Sequence, residues 1–249
     1  MNQPSIAVVI PCYGVASHVL DVIAQIPLLV QHVVLVDDAS PDNLWKVLAT
    51  ASDPRLVVVR HITNRGVGGA MKSGFAKAID MGAEIVVKLD GDGQMDPGLI
   101  PQFIAPIVMG QADFTKGNRF GDRLAIRQMP IVRRVGNIAL SFLVKVASGY
   151  WHLFDPCNGY LAIRAAMLKT LDFNRLDERY FFEISLICEL YLANAILQDI
   201  PMRPVYTSQP GSLSPVRSIA DFAPRLIARS IYRVFRNADS KPSDLRGVS

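Results

Sequence analysis

The sequence has 249 residues, half of them apolar, so we expect one large domain with a sizeable core and exclude general disorder. Its three cysteines show neither a CxxC nor a Cys/His ligand spacing, which excludes a zinc site and a disulfide framework. Its net charge of +4 lies wholly beyond residue 216, where seven basic residues accompany three acidic ones. A nucleic-acid enzyme more often carries basic charge along its body, so we expect no nucleic-acid partner.

Short apolar runs alternate with helical patterns through the first half of the chain. The runs that predict strands are SIAVVIP, HVVLVDD, LVVVR and EIVVKLD. The segments that predict helices are residues 17–29, SPDNLWKVLA with Ser40 as cap and Pro41 in its first turn, GVGGAMKSGFAKAIDMG, and DPGLIPQFIAPIVMG. This alternation predicts an α/β fold with a mostly parallel, doubly wound sheet. The continuous apolar strands indicate a sheet that is covered on both faces.

The second half has a less regular pattern and ends in a segment of different composition. Its predicted elements are a helix in RRVGNIALSFLVKVA, a turn and strand in DPCNGYLAI, a helix in YFFEISLICELYLAN, and a strand in AILQDIPMRPVY. Ser, Pro and Gly accumulate after about Thr207, so we place one domain at residues 1–211 and an amphipathic helical tail at residues 212–249. The N-terminus lacks a basic region and a long apolar region, so we expect no signal peptide.

Two carboxylates, Asp90 and Asp92, follow the fourth predicted strand in the stretch DGDGQMDP. Alternation along an extended chain points them in similar directions, and two hard oxygen ligands so placed suit Mg²⁺ or Mn²⁺. The alternative interpretation is a solvated Asp-Gly turn. In doubly wound sheets ligands bind outside the carboxyl ends of the strands. The stretches expected at that edge are PCYG, DDAS, NRGVGG and DGDGQ.

Six segments, taken together and in order, resemble the motifs of the family-2 glycosyltransferases of GT-A fold, especially the dolichyl-phosphate-mannose-synthase-like branch. They are PCYG, VDDAS, NRGVGGA, DGDGQMDP, KGNRF and DPCNGYLAIR, within a match from about Ile6 to Tyr206. The resemblance implies a Rossmann-like GT-A fold and a metal-dependent, inverting transfer of a sugar from a nucleotide diphosphate sugar. It also implies that Gln94, in the DxD-Q-x-P motif, joins Asp90 and Asp92 at the metal.

The resemblance further implies a donor site. The donor-binding residues it indicates are Pro11, Tyr13, Asp38, Arg65, Gly66 and Asp90. The carboxylate of Asp38 would accept hydrogen bonds from base N–H or ribose hydroxyl groups. The alternative for Tyr13 is simple packing. Arg65 and Gly66 open a predicted helix whose N-terminus can face an anion.

In this branch the acceptor is a polyprenyl phosphate of the dolichyl or undecaprenyl type. Its phosphate is largely ionised near neutral pH, so it needs cations to hold it and no general base. The candidate acceptor-phosphate ligands are Arg119, Arg133, Arg134, Asn137 and Ser141. The alternative for Arg133 and Arg134 is a solvated basic face.

The alternative acceptor is a saccharide hydroxyl, which requires a general base. Glu183 lies near the position where other family-2 enzymes place their catalytic carboxylate, and Asp155 is a second candidate that can equally cap a turn. The residues expected to act in catalysis are Asp90, Asp92, Arg119, Asp155 and Glu183. More remote alternatives are a sugar nucleotidyltransferase, which should carry a GxGxR-type loop after the first strand, and a non-catalytic membrane-surface binding module.

The tail segment SIADFAPRLIARSIYRVF has the pattern of a basic amphipathic helix. Arg225, Arg229 and Arg233 form a stripe at i, i+4 spacing, and apolar residues lie at helical spacing on another side. Such a helix can lie on an anionic membrane. We therefore predict a cytoplasmic protein bound peripherally at the cytoplasmic face of a membrane through its tail. The alternative is a helix docked on the catalytic domain.

Overall fold

The computed structural model describes residues 3–121, 131–203 and 215–239. The side chains at 131–134, 137, 215–220 and 237–239 are outside this description, and they include those of the predicted acceptor ligands Arg133, Arg134 and Asn137. The strands are β1 (Ile6–Cys12), β2 (His32–Asp37), β3 (Leu56–Arg60), β4 (Ile85–Lys88), β5 (Phe114–Asn118), β6 (Leu161–Arg164) and β7 (Leu197–Pro201). The helices are α1 (Val19–Ala24), α2 (Leu44–Leu48), α3 (Gly66–Asp80), α4 (Ile100–Val108), α5 (Ile131–Ser148), α6 (Ala165–Thr170), α7 (Phe182–Leu192) and α8 (Pro215–Asp239).

The seven strands form one sheet in the order β3-β2-β1-β4-β6-β5-β7. The pairs β1–β2, β1–β4, β2–β3 and β5–β7 are parallel, whereas β6 runs antiparallel to β4 and β5. The chain enters β6 at the carboxyl end of β4, where Leu161 pairs with Lys88, so this strand has to run back towards the start of β4. The predicted α/β fold with a mostly parallel sheet is confirmed.

Helices cover both faces of the sheet because successive residues of a strand point to opposite sides. In β1, Ala7 and Val9 join the core beneath α3, whereas Val8 and Ile10 join the core beneath α1 and α4. Gly74 brings α3 close to the sheet, since a β-carbon there would lie 2.2 Å from a methyl group of Val9. This double coverage explains why the strands appear in the sequence as continuous apolar runs.

The structure differs from the sequence pattern at three helices. Helix α1 has six residues and ends at Ala24, instead of spanning residues 17–29. Helix α2 begins at Leu44, so Ser40 is not its cap; the Ser40 hydroxyl instead accepts a hydrogen bond from the Gly14 amide at 2.7 Å. Helix α6 follows β6 directly, and its six residues are too few to show a helical period in the sequence.

The tail helix α8 packs against α5 and against the segment of residues 175–181. Phe222 and Leu226 are buried, and the rings of Phe222 and Phe181 are in edge contact with their centroids 5.2 Å apart. This is the docked arrangement. Within the described ranges, no helix is long and apolar enough to cross a membrane.

The arginines of the basic stripe form contacts within the protein, as the docked alternative requires, and binding of the stripe to anionic lipid stays a prediction. Arg225 forms an ion pair with Asp177 at 2.6 Å, Arg229 pairs with Glu189, and Arg233 donates to a backbone carbonyl of α5. The side chain of Glu189 is only 5% exposed, and a buried carboxylate without a cationic partner is strongly destabilising. Glu189 also pairs with Arg175 at 3.1 Å, so Arg175 and Arg229 together compensate its buried charge.

Candidate active site

A cavity of about 600 Å³ lies at the carboxyl ends of β1, β2 and β4, where ligands bind in open α/β sheets. Eight predicted site residues line it: Pro11, Tyr13, Asp38, Gly66, Asp90, Asp92, Arg119 and Glu183. Four predicted residues are not among its lining residues: Arg65, Gln94, Asp155 and Ser141. Other lining residues were not identified from the sequence: Lys88, Cys157, Arg179, Tyr180 and Phe222. The structure thus brings most of the predicted site together.

Asp38 lines the cavity and caps helix α3. Its carboxylate accepts hydrogen bonds from the amides of Arg65 at 2.9 Å and Gly66 at 2.8 Å. His61, which the sequence did not single out, places Nδ1 2.6 Å from Asp38 Oδ1 and Nε2 2.9 Å from the Ser73 hydroxyl. The anion expected at this helix N-terminus is therefore Asp38 itself, which complements the helix dipole. The amides of Arg65 and Gly66 donate to Asp38, so these two donors are engaged within the protein. A role of the two residues in donor binding stays a prediction.

The glycines of NRGVGGA allow a second segment to pack on the start of α3. A β-carbon at Gly68 would lie 2.1 Å from the carbonyl oxygen of Asp177, and one at Gly66 would lie 2.5 Å from that of Glu178. Gly66 also has a φ of +83°, in the left-handed region that favours glycine. The motif therefore holds residues 175–181 in place, and this segment supplies part of the cavity wall.

Lys88 connects two of the predicted catalytic carboxylates. Its side chain is 1% exposed, and its ammonium lies 2.7 Å from Asp90 Oδ1 and 3.2 Å from Glu183 Oε1. Burial lowers the pKa of Lys88, but the charges of Asp90 and Glu183 outweigh this effect and raise the pKa above its usual value. Lys88 is therefore charged. A lysine two residues before Asp90 in an apolar strand is the sequence signal that could have revealed it.

Asp92 lines the cavity together with Asp90, and the charge of Lys88 affects it less than the charge of Asp90 does. Burial raises the pKa of its carboxyl, and the charge of Asp90 adds to this effect, although the Gln94 amide donates to Asp92 Oδ1 at 3.0 Å. A divalent cation would oppose both causes, so the pair of carboxylates fits a Mg²⁺ or Mn²⁺ site. Among the residues that the structure describes, no group of three or more His, Cys, Asp or Glu could hold a metal. A cation here would complete its ligands with a diphosphate and water.

Arg119 and Asp155 form a bidentate ion pair at the edge of the cavity. Arg119 Nε and Nη2 donate to Asp155 at 2.6 and 2.8 Å, and the carboxylate is 2% exposed. These two hydrogen bonds fix the orientation of the Arg119 guanidinium, and Arg119 lines the cavity. Ser141, predicted to bind the acceptor phosphate, instead donates its hydroxyl to the Phe154 carbonyl at 2.6 Å.

Comparison with known proteins identifies the family. The family model described as Glycosyl transferase family 2 matches residues 7–172, more than half of the chain. The chain belongs to glycosyltransferase family 2. This family-2 enzyme is a nucleotide-sugar glycosyltransferase, in agreement with its six motifs.

Two relatives of this family-2 enzyme have names that include the acceptor. The UDP-N-acetylglucosamine–dolichyl-phosphate N-acetylglucosaminyltransferase of Methanococcus voltae is 28% identical over 224 residues, covering 83% of this chain and 88% of the relative. The undecaprenyl-phosphate mannosyltransferase of Micrococcus luteus is 30% identical over 173 residues, covering 68% and 70%. The predicted resemblance to this branch of the family is confirmed.

A solved structure shares the fold of the family-2 enzyme. Glucosyl-3-phosphoglycerate synthase from Mycobacterium tuberculosis, in complex with Mn²⁺, UDP and glucosyl-3-phosphoglycerate, matches with a TM-score of 0.65 at 18% identity. The match covers 92% of this chain and 80% of that one. It confirms the GT-A-like fold, and the bound Mn²⁺ and UDP are properties of that synthase.

Proposed function

We propose that this family-2 enzyme transfers a sugar from a nucleotide diphosphate sugar to a polyprenyl phosphate, with inversion and with Mg²⁺ or Mn²⁺. The observation that carries the proposal is the composition of the cavity. The charged cluster around Asp90 shares one cavity with Leu140 of α5 and Phe222 of α8. A polyprenyl phosphate requires this combination, since its phosphate is charged and its chain is apolar.

The two helices that reach the cavity also expose apolar side chains to solvent. On α5 these are Val135, Ile138, Phe142 and Val146, and on α8 they are Ile227, Ile231, Val234 and Phe235. Because α5 and α8 pack against each other, we call these residues the apolar helix pair. Large exposed apolar patches are rare on soluble monomers and mark binding or membrane surfaces. This supports a peripheral position at the cytoplasmic face of a membrane, reached by apolar insertion.

The engagement of two carboxylates favours a phosphate as the nucleophile. Glu183 pairs with Lys88, and Asp155 holds Arg119 through two hydrogen bonds. A saccharide hydroxyl would need one of these carboxylates as a general base. A phosphomonoester needs neither, because its second pKa of about 6 leaves it ionised near neutral pH.

The roles of the cavity residues follow from these contacts. Arg119 would hold the acceptor phosphate, with its guanidinium oriented by Asp155. Tyr13 is 55% exposed at the cavity and is available to stack on the base. Asp90 and Asp92 would hold the cation, which when bound neutralises the charge that develops on the leaving diphosphate. A phosphate oxygen then bonds to the anomeric carbon as the bond to the nucleoside diphosphate breaks, and no proton needs to be removed.

The test is sugar transfer by the purified protein. Radiolabelled UDP- and GDP-sugars are incubated with Mn²⁺ and undecaprenyl phosphate, and the lipid is extracted with organic solvent. We expect label in the lipid phase, with an equal amount of nucleoside diphosphate released, and little release without the lipid. Label that appears only on an added oligosaccharide would contradict the proposal and identify the hydroxyl acceptor instead.

A further inference from the structure

The ammonium of Lys88 lies between carboxylates from two distant parts of the chain. Asp90 follows β4, and Glu183 belongs to the first turn of α7. Gly159 leaves space for this contact, because a β-carbon there would lie 2.5 Å from Lys88 Nζ and 2.6 Å from Asp90 Oδ2. Packing therefore determines the position of the ammonium, in direct contact with a predicted metal ligand.

The charges around the Lys88 ammonium determine how strongly the site attracts a divalent cation. Three carboxylates line the cavity here: Asp90, Asp92 and Glu183. Lys88 offsets them by direct contact with Asp90 and Glu183, and the buried Lys116, whose ammonium donates to the Asn158 carbonyl, adds positive charge near Glu183, although burial lowers the pKa of Lys116. Without a nucleotide, the net charge that a divalent cation meets is therefore small. A diphosphate adds negative charge and further oxygen ligands.

We propose that Lys88 is a positioning residue that neutralises the acidic cluster in the absence of nucleotide, so that a divalent cation binds tightly only together with the diphosphate of the donor. The inference rests on the proposed use of a cation by the enzyme. Lys88 holds Asp90 and Glu183 side by side and competes by its charge with a cation that arrives alone. The metal site is complete only when the donor is present.

Replacing Lys88 by Met separates this role from a purely structural one. Removal of the ammonium leaves the carboxylates uncompensated, so Mn²⁺ should bind without nucleotide about tenfold more tightly than to the wild type. Turnover should fall at the same time, because Asp90 and Glu183 lose the group that holds them together. Damage to the fold would weaken Mn²⁺ binding instead. An increase in Mn²⁺ affinity therefore indicates the charge-neutralising role of Lys88, and a decrease indicates a purely structural role.

The measurement is calorimetric titration of Mn²⁺ into the full chain, with and without UDP or GDP. Lys88→Arg keeps the charge and should retain weak Mn²⁺ binding without nucleotide. Lys72→Met is the matched control, since Lys72 is 14% exposed and its partner Glu178 is not among the cavity residues. It should leave Mn²⁺ affinity unchanged. Lys88→Gln, which retains a hydrogen-bond donor, should reproduce the tighter binding if the Met variant melts early.

Two results would overturn the inference in different ways. If the wild type binds Mn²⁺ with nucleotide, but the folded Lys88 variants bind Mn²⁺ alone no more tightly than the wild type, Lys88 does not have this role. If the wild type binds no Mn²⁺ with either nucleotide, the proposed metal-dependent function fails together with the inference.

Discussion

At the scale of single residues, the site is a set of opposite charges in direct contact. Lys88 forms ion pairs with Asp90 and Glu183, and Arg119 forms an ion pair with Asp155. Asp92 lies beside them, and burial raises the pKa of its carboxyl. The role of each charge can therefore be tested by a substitution that removes it. A control substitution outside the site then shows how much of the effect comes from altered packing.

Asp92→Ala is expected to lower turnover on the order of 100-fold, because it removes a predicted ligand of the cation that stabilises the leaving diphosphate. The melting temperature should change little, since Asp92 lies in a turn after β4. Asp96→Ala is the matched control: Asp96 accepts the Gly98 amide at 2.7 Å at the start of the turn before α4. It should cost about 1 kcal/mol of stability and retain turnover. Near-normal activity of Asp92→Ala, or of the wild type in EDTA, would refute the metal assignment.

Asp155→Asn tests whether Arg119 holds the acceptor. Loss of the charged partner should raise the acceptor KM about tenfold or more and leave the affinity for the nucleotide unchanged. Because the pair is largely buried, the unfolding free energy should also fall by about 3 kcal/mol. Asp53→Asn is the control, since Asp53 pairs with Arg55 at 2.7 Å outside the cavity. An equal loss of donor affinity in Asp155→Asn would move Arg119 to the donor side.

At the scale of elements, the tail helix α8 forms part of the cavity wall. It contributes Phe222 to the cavity and contacts residues 175–181, which in turn rest on the glycines of α3. The partition at residues 211 and 212 stays a prediction. The contacts of α8 nevertheless imply that removing it after Gly211 would expose buried apolar surface rather than release an independent tail.

Arg229→Met tests the inward orientation of α8. Arg229 pairs with Glu189 and also donates to the Arg175 carbonyl, so its loss should lower the unfolding free energy by about 2 kcal/mol, measured by urea denaturation. Arg236→Met removes the same charge from an exposed position and should change stability by less than about 0.5 kcal/mol. If Arg229 faced lipid, its replacement would weaken binding to anionic vesicles and leave stability unchanged.

At the scale of the whole molecule, the sequence predicts what depends on local pattern. The strands and the motifs at their carboxyl ends follow from continuous apolar runs and from residues adjacent in the chain, such as Asp90 and Asp92. Contacts between distant residues are not predicted in this way. Glu183 meets Lys88 across 95 positions of the chain. The sequence leaves lipid binding and docking open for the arginine stripe, because the partner of Arg229, Glu189, lies 40 positions earlier in a mostly apolar helix.

The remaining question at this scale is how the whole molecule meets its acceptor. Since Arg225, Arg229 and Arg233 are engaged in contacts within the protein, attachment to a membrane should rest on the apolar helix pair, and salt should affect it little. The double variant Ile231→Asp, Phe235→Asp should abolish co-sedimentation with vesicles. It should lower the turnover of long-chain undecaprenyl phosphate. The turnover of a short-chain polyprenyl phosphate and the melting temperature should change little.

The matched control is Leu28→Asp, Ile62→Asp, because these side chains are 91% and 98% exposed and neither is among the residues lining the cavity. It introduces the same two charges and should retain vesicle binding and long-chain turnover. Loss of long-chain turnover in both double variants would show a general effect of charge. Wild-type protein that stays in the supernatant with vesicles at every salt concentration would contradict the membrane position, and the polyprenyl chain would then have to reach the cavity from solution.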